Sequence, residues 1–356
     1  MTDHLVLPGR LGNPDMTLAE DPRADPRMIA TLAPMGLAGQ APGSPIGADA
    51  PIEDILRLQM AAEEGFSTMG TVLTAGLDPV EGVIRETEVI TGVDGNDITL
   101  FVHRPASASE PCRGLLHLHG GGMAILEAAG PGYQRWRDEL ASRGLVVVGV
   151  EFRNAAGKLG PHPFPAGLND CSSGLAWFHE NRDRLGVDKI VVSGESGGGN
   201  LTLATTLKAK ADGNLDRIAG VYAQCPYISN LYGTGDPNLV SLEENAGYFL
   251  GGDTMAVLAR TYSPDGSDDT NPLAWPYHAT VEDLTGLPPH VVSVNELDPL
   301  RDEGLAYYRK LLAAGVSAVG RTVHGTCHAG DCLMYQSLPD VVDATLRDIV
   351  SFANGL

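Results

Sequence analysis

Basic residues are in short supply in this 356-residue chain: 24 Lys and Arg stand against 45 Asp and Glu, a formal charge of -21. Such a chain repels a phosphate backbone or an anionic bilayer, which argues against nucleic-acid and membrane partners. Cysteine is scarce and unpatterned. Cys112, Cys171, Cys225, Cys327 and Cys332 are odd in number and lack the paired spacings of a disulfide framework, so reduced thiols are expected. Cys327 and Cys332 bracket His328, yet no second His/Cys cluster supplies the four ligands of a closed tetrahedral site, and no metal is expected. Long apolar runs are missing too. The strongest, Leu145 to Val150, is far too short to span a bilayer, and Met1 to Arg10 has no basic stretch leading into an apolar one. These absences point to a cytoplasmic protein. Low-complexity tracts are also lacking, and a composition 43% hydrophobic and 19% charged can bury a sizeable core.

The first seventy or so residues are rich in Pro, Gly, Ala and Asp, with helical periodicity only in pieces such as Ile52 to Glu64, and read as a preface to the core. Two strands, Glu88 to Gly92 and Asp97 to Val102, flank Asp94-Gly95, a pair whose central positions both tolerate positive φ and so favour a hairpin. Short apolar runs then alternate with helical patterns. Gly114 to Leu118, Leu145 to Val150, Lys189 to Val192, Ile218 to Tyr222 and His290 to Val294 read as buried parallel strands, and a last strand ends near Val323. Helices are expected over Tyr133 to Arg143, Leu168 to Asn181, Ser196 to Ala211, Asp302 to Ala314 and Pro339 to Phe352. The alternation predicts an α/β fold with a doubly wound, mostly parallel sheet. One interval breaks the rhythm: residues 227–287 are far longer than a crossover requires and predict an inserted lid. Its rings, Tyr232, Tyr248, Phe249, Trp275 and Tyr277, either cover an apolar pocket or hold the insertion to the core.

Gly194-Glu195-Ser196-Gly197-Gly198 follows one of these strands and opens a helix, the setting in which a sharp turn exposes a serine hydroxyl. The motif alone is weak in a chain with 44 glycines, but three further features fall where the same chemistry needs them. His119-Gly120-Gly121-Gly122 follows the strand Gly114 to Leu118, where backbone N–H groups of Gly121 and Gly122, with that of Gly197, can bind an oxyanion. Asp298 follows the strand His290 to Val294, at the carboxyl edge where open α/β sheets place ligands; Glu296, Asp302 and Glu303 are its rivals, the last two better placed to stabilise the first helical turn. His328 lies in the loop after the final strand, with His324 as its rival. The chain order Ser, Asp, His is that of an α/β-hydrolase triad, in which imidazole activates the hydroxyl and carboxylate orients the imidazole. Met123, Glu195 and Tyr227, beside these motifs, are candidate substrate contacts.

The His119 to Gly122 run, the stretch Gly194 to Asn200, Asp298 to Gly304, Glu151 to Asn154 and His162 to Ala166 together resemble the hormone-sensitive-lipase-like esterases over roughly residues 85–352. The resemblance implies an α/β-hydrolase fold, a helical cap built from residues 1–80 and the insertion on a catalytic domain of 81–356, no cofactor, and action on short-chain or bulky-alcohol carboxylic esters. Gly197 stands where many members carry alanine, and Met123 where many carry an aromatic residue. A small-molecule ester, lactones included, is the expected partner, and the chain leaves a homodimer open. The alternatives are a peptidase or amidase on the same triad, for which no propeller-like repeat or second large domain speaks, and a receptor on the esterase scaffold, a role that in plant relatives accompanies loss of the histidine.

Overall fold

The computed structural model describes residues 7–107 and 111–356; the expectations for residues 1–6 lie outside them. Eight strands form one sheet: β1 (Val83–Thr91), β2 (Asp97–Pro105), β3 (Cys112–Leu118), β4 (Val146–Glu151), β5 (Val187–Glu195), β6 (Gly220–Gln224), β7 (His290–Asn295) and β8 (Ala318–Val323). Their order is β1-β2-β4-β3-β5-β6-β7-β8. The first two strands enter antiparallel and every pairing from β4 onward is parallel, as the run of apolar segments predicts. The β1–β2 turn differs in detail from the expected one: Gly95 alone takes positive φ, +82°, and its N–H bonds the Gly92 carbonyl at 2.9 Å, so the left-handed residue follows the turn instead of filling it.

Side chains of the central strands alternate between two helical layers. Leu115, Val147, Val191 and Val291 pack with Trp136 and Leu140 of the helix Pro131–Ser142 and with Val342, Leu346 and Ile349 of Pro339–Gly355. Leu116, Val148, Val192 and Val292 face the helices Ala166–Glu180, Gly197–Ala211 and Arg301–Ala313. Two-sided burial is why these strands are almost continuously apolar.

Two segments cover the carboxyl edge of the sheet. The helix Ile52–Thr74, ten residues longer than its clearest periodicity, comes from the N-terminal stretch; the helix Gly252–Tyr262 comes from the insertion. Most insertion aromatics serve as glue: Tyr227 stacks on Tyr232 at 5.1 Å between centroids, and Trp275 meets Tyr227 and Tyr262 edge-on. Among the described residues no helix is long and apolar enough to cross a membrane.

Candidate active site

At the end of β5 the chain reverses sharply into the helix Gly197–Ala211, and Ser196 at the apex takes φ 57°, ψ -119°. A non-glycine residue there is strained by about 1–3 kcal/mol, so its surroundings must enforce the turn. They do so by closeness. A Cβ on Gly198 would sit 1.9 Å, and one on Gly194 2.3 Å, from the Leu118 carbonyl oxygen at the end of β3. Ser196 N–H bonds the Gln224 carbonyl at 3.0 Å, and the Ser196 carbonyl accepts from Asn200 and Tyr227. Asn200 Nδ2 donates to the carbonyls of Tyr227 and Ala274, both at 3.0 Å, so the same helix holds the insertion at its start and again at Ala274.

The glycine loop arrives from the neighbouring strand. Gly121 and Gly122 have φ of +100° and +62°, and the Gly121 carbonyl accepts the amides of Ala124 and Ile125. A Cβ on Gly197 would stand 2.6 Å from the backbone nitrogens of both Gly122 and Met123. Gly197 is therefore a steric requirement of this loop. Beneath it the His119 ring stacks on Phe152 at 4.1 Å and burial drives its pKa down to about 3, so His119 is neutral packing.

Asp298 and His328 meet at the same edge. Asp298 Oδ1 accepts the Leu300 amide at 2.9 Å, and Oδ2 lies 2.7 Å from His328 Nδ1; both side chains are buried. Burial acts to lower the imidazole pKa, but the Asp298 charge, helped by the Cys225 thiol, outweighs it, and the net shift is well upward. The His loop is set by Asn295, which donates to Thr326 and Asp331 and accepts the Ala329 amide. His324 is exposed and faces Glu296 at 3.2 Å. Glu303 departs from its expected place: it turns inward, accepting from the Ile228 amide, Ser229 and Tyr232, and burial raises its pKa to about 8. It anchors the insertion instead of facing the helix end.

Cys225, Asp298 and His328 present S, O and N atoms within 4.8 Å of one another. A closed tetrahedral site takes four such ligands, and the Asp298–His328 contact already has the geometry of a hydrogen-bonded pair, which is the arrangement these residues fit.

A cavity of about 300 Å³ joins these parts. Gly121, Gly122, Ser196 and His328 line one end; Phe66, Met69 and Leu73 of Ile52–Thr74 and Phe249, Met255 and Leu258 of the insertion wall the rest. Of the expected substrate contacts, Glu195 and Tyr227 line it. Both are held by the protein itself, Glu195 Oε1 accepting the Gly120 amide at 2.6 Å and the Tyr227 hydroxyl bonding the Met255 carbonyl. Met123, the third of them, is buried with a φ of 58° and is not among the residues that line the cavity. The helix Ile52–Thr74 supplies wall residues that sequence reasoning did not single out. Their signal is the spacing of Phe66, Met69 and Leu73 along one helical face, C-terminal to the clear periodicity of Ile52 to Glu64.

A sheet of this order with a serine at its strained strand-to-helix turn is the architecture of the α/β hydrolases, and residues 115–330 match the family described as having the alpha/beta hydrolase fold. The chain belongs to that family, and within it to the carboxylic ester hydrolases resembling hormone-sensitive lipase. Brefeldin A esterase, described as a bacterial homologue of human hormone-sensitive lipase, is 45% identical with 98% of each chain covered and a TM-score of 0.94. An arylesterase of Saccharolobus solfataricus is 32% identical over 76% of this chain and 85% of its own length. The carboxylesterase NlhH of Mycobacterium tuberculosis is 34% identical over 66% of this chain and 72% of its own.

Proposed function

We propose that Ser196 is the nucleophile, His328 the general base and Asp298 the carboxylate that orients it, and that the substrate is a small carboxylic ester, lactones included, with an apolar acyl or alcohol part. The observation carrying this reading is the buried 2.7 Å Asp298–His328 contact opening on the cavity that Ser196 lines. The imidazole removes the hydroxyl proton as Ser196 attacks the carbonyl, and the oxyanion forms against the amides of Gly121, Gly122 and Gly197. His328, now cationic beside Asp298, protonates the leaving alcohol. Water then repeats the sequence on the acyl-enzyme and frees the acid.

The apolar walls favour esters over charged or peptide substrates, and the cavity volume suits a short or compact ligand. This reading keeps the enzyme in the cytoplasm, consistent with the acidic chain, and allows a homodimer through the free edge of β8, where Val319 is exposed; light scattering tests the latter. Release of p-nitrophenol from its butyrate ester tests the activity. The unmodified protein turns over and Ser196→Ala loses at least about a thousandfold in kcat; no turnover, or an active Ser196→Ala, overturns the reading.

A further inference from the structure

The buried stripe of the helix Ile52–Thr74 carries a charged residue. Ile55, Gln59 and Glu63 follow one another at four-residue spacing, and Glu63 has no exposed surface. Its carboxylate faces the backbone of two loops: Oε1 accepts the Leu126 amide at 2.7 Å, and Oε2 accepts the Lys158 amide at 2.8 Å. Leu126 ends the turn that begins at Gly121. It sits at φ +78°, a conformation a leucine adopts only under restraint, and both its polar groups are held, the amide by Glu63 and the carbonyl by Asn154 Nδ2 at 2.6 Å. The second loop is shaped around the same carboxylate. Gly157 takes φ +61°, and a Cβ there would lie 2.7 Å from Glu63 Oε2.

From this arrangement we propose that Glu63 is a positioning residue through which the N-terminal helix sets the oxyanion turn, so that the Gly121 and Gly122 amides are aligned only while that helix is docked. The inference rests on the esterase reading above. A carboxylate suits the task because each oxygen accepts from a different amide, whereas a carboxamide has one acceptor and would set its NH₂ against the other N–H. The turn is only six residues long from Gly121 to Leu126, and the Gly121 carbonyl already accepts the amides of Ala124 and Ile125. Slack at Leu126 therefore passes directly to the glycines. Phe66 and Met69 of the same helix wall the cavity, so pocket and oxyanion donors assemble in one docking event.

A residue that merely shaped the pocket wall would act on substrate binding. A residue that aligns oxyanion donors acts on the transition state. In the full-length protein, Glu63→Gln lowers kcat on p-nitrophenyl butyrate by about 10- to 100-fold with KM within about threefold, a partial loss of donors that are each worth about 10²–10³ when removed outright. Inhibition by a butyl trifluoromethyl ketone, whose adduct with Ser196 bears an oxyanion, weakens by the same factor, while inhibition by the unreactive methyl ketone holds. Gly157→Ala, which displaces the carboxylate from the other side, gives the same split. A raised KM with kcat and ketone inhibition intact, or no change at all, overturns the proposal. Hydrogen exchange on the unmodified protein adds an arm that needs no variant: the Leu126 and Lys158 amides exchange as slowly as those of β5, and exchange at open-loop rates overturns it. Absence of turnover by the unmodified protein would instead defeat the esterase reading.

Discussion

The serine end and the histidine end of the site are held by different physics. Around Ser196 the restraint is steric and local: Gly194, Gly197 and Gly198 lie within four residues of one another, and each leaves no room for a Cβ against the backbone of Leu118, Gly122 or Met123. Around His328 the restraint is polar and long-range. The Cys327 amide meets Met28 Sδ, 299 residues away in sequence, at 3.3 Å. Asp25 N–H bonds the Gly325 carbonyl, and Asn245 of the insertion donates to the carbonyls of Glu296 and Asp298. A sterically enforced turn has one conformation; a loop held by hydrogen bonds can be loosened one bond at a time.

Removing the charge behind the histidine is the largest test of that contrast. Asp298→Asn keeps the shape but removes the acceptor that fixes the tautomer, and kcat should fall by about 10⁴-fold, the size of the effect in a serine protease triad. The pH profile sharpens the result. With His328 as the proposed base, activity needs neutral imidazole, and His328 is shifted well above its ordinary 6.5 chiefly by Asp298 against the opposing effect of burial. The acidic limb of kcat/KM therefore lies above pH 6.5 in the unmodified protein, and in the variant's residual activity it moves down, because burial is then opposed only by the weaker effect of Cys225. A limb that stays in place would mean that another group sets the histidine.

At the serine end the corresponding break is Gly198→Ala. Its Cβ would arrive 1.9 Å from the Leu118 carbonyl oxygen, and backbone cannot yield as a flexible side chain does. The variant should lose about 3–5 kcal/mol of stability, at the upper end of single substitutions, and its activity with it, read by chemical denaturation and turnover. Retention of the native midpoint would show that the elbow is softer than its contacts imply.

The same contrast explains what the amino-acid sequence disclosed. Ser196, Gly121 and Gly122 were legible because their constraints are carried by neighbouring glycines, and the sheet was legible because two-sided burial writes near-continuous apolar runs at β3 to β7. Asp298 and His328 could be placed at strand ends, but Glu296 and His324 competed at nearly equivalent positions; only the fold shows His324 exposed and His328 buried against Asp298. Glu303 and Glu63 were illegible as anchors, since a glutamate in a helical pattern ordinarily marks the solvated face. What turned them inward was unpaired backbone amides in distant loops, which no local pattern records.

The smallest effect is expected where the polar scaffold is cut behind the acid. Asn245 is fully buried, donates at 3.1 Å to the carbonyls of both Glu296 and Asp298, and accepts from Arg23, which also pairs with Asp21 and Glu244. Asn245→Ala leaves those two carbonyls without this donor, a cost of about 1–3 kcal/mol. It should also let the Asp298 loop drift, lowering kcat several-fold while KM and the pH limb stay near their original values, since charge and burial at His328 are unchanged. Thermal melts and steady-state kinetics on one preparation separate the two effects. A variant that is destabilised yet keeps full kcat would show that β7 alone holds Asp298 in place, making the histidine end as rigid as the serine end.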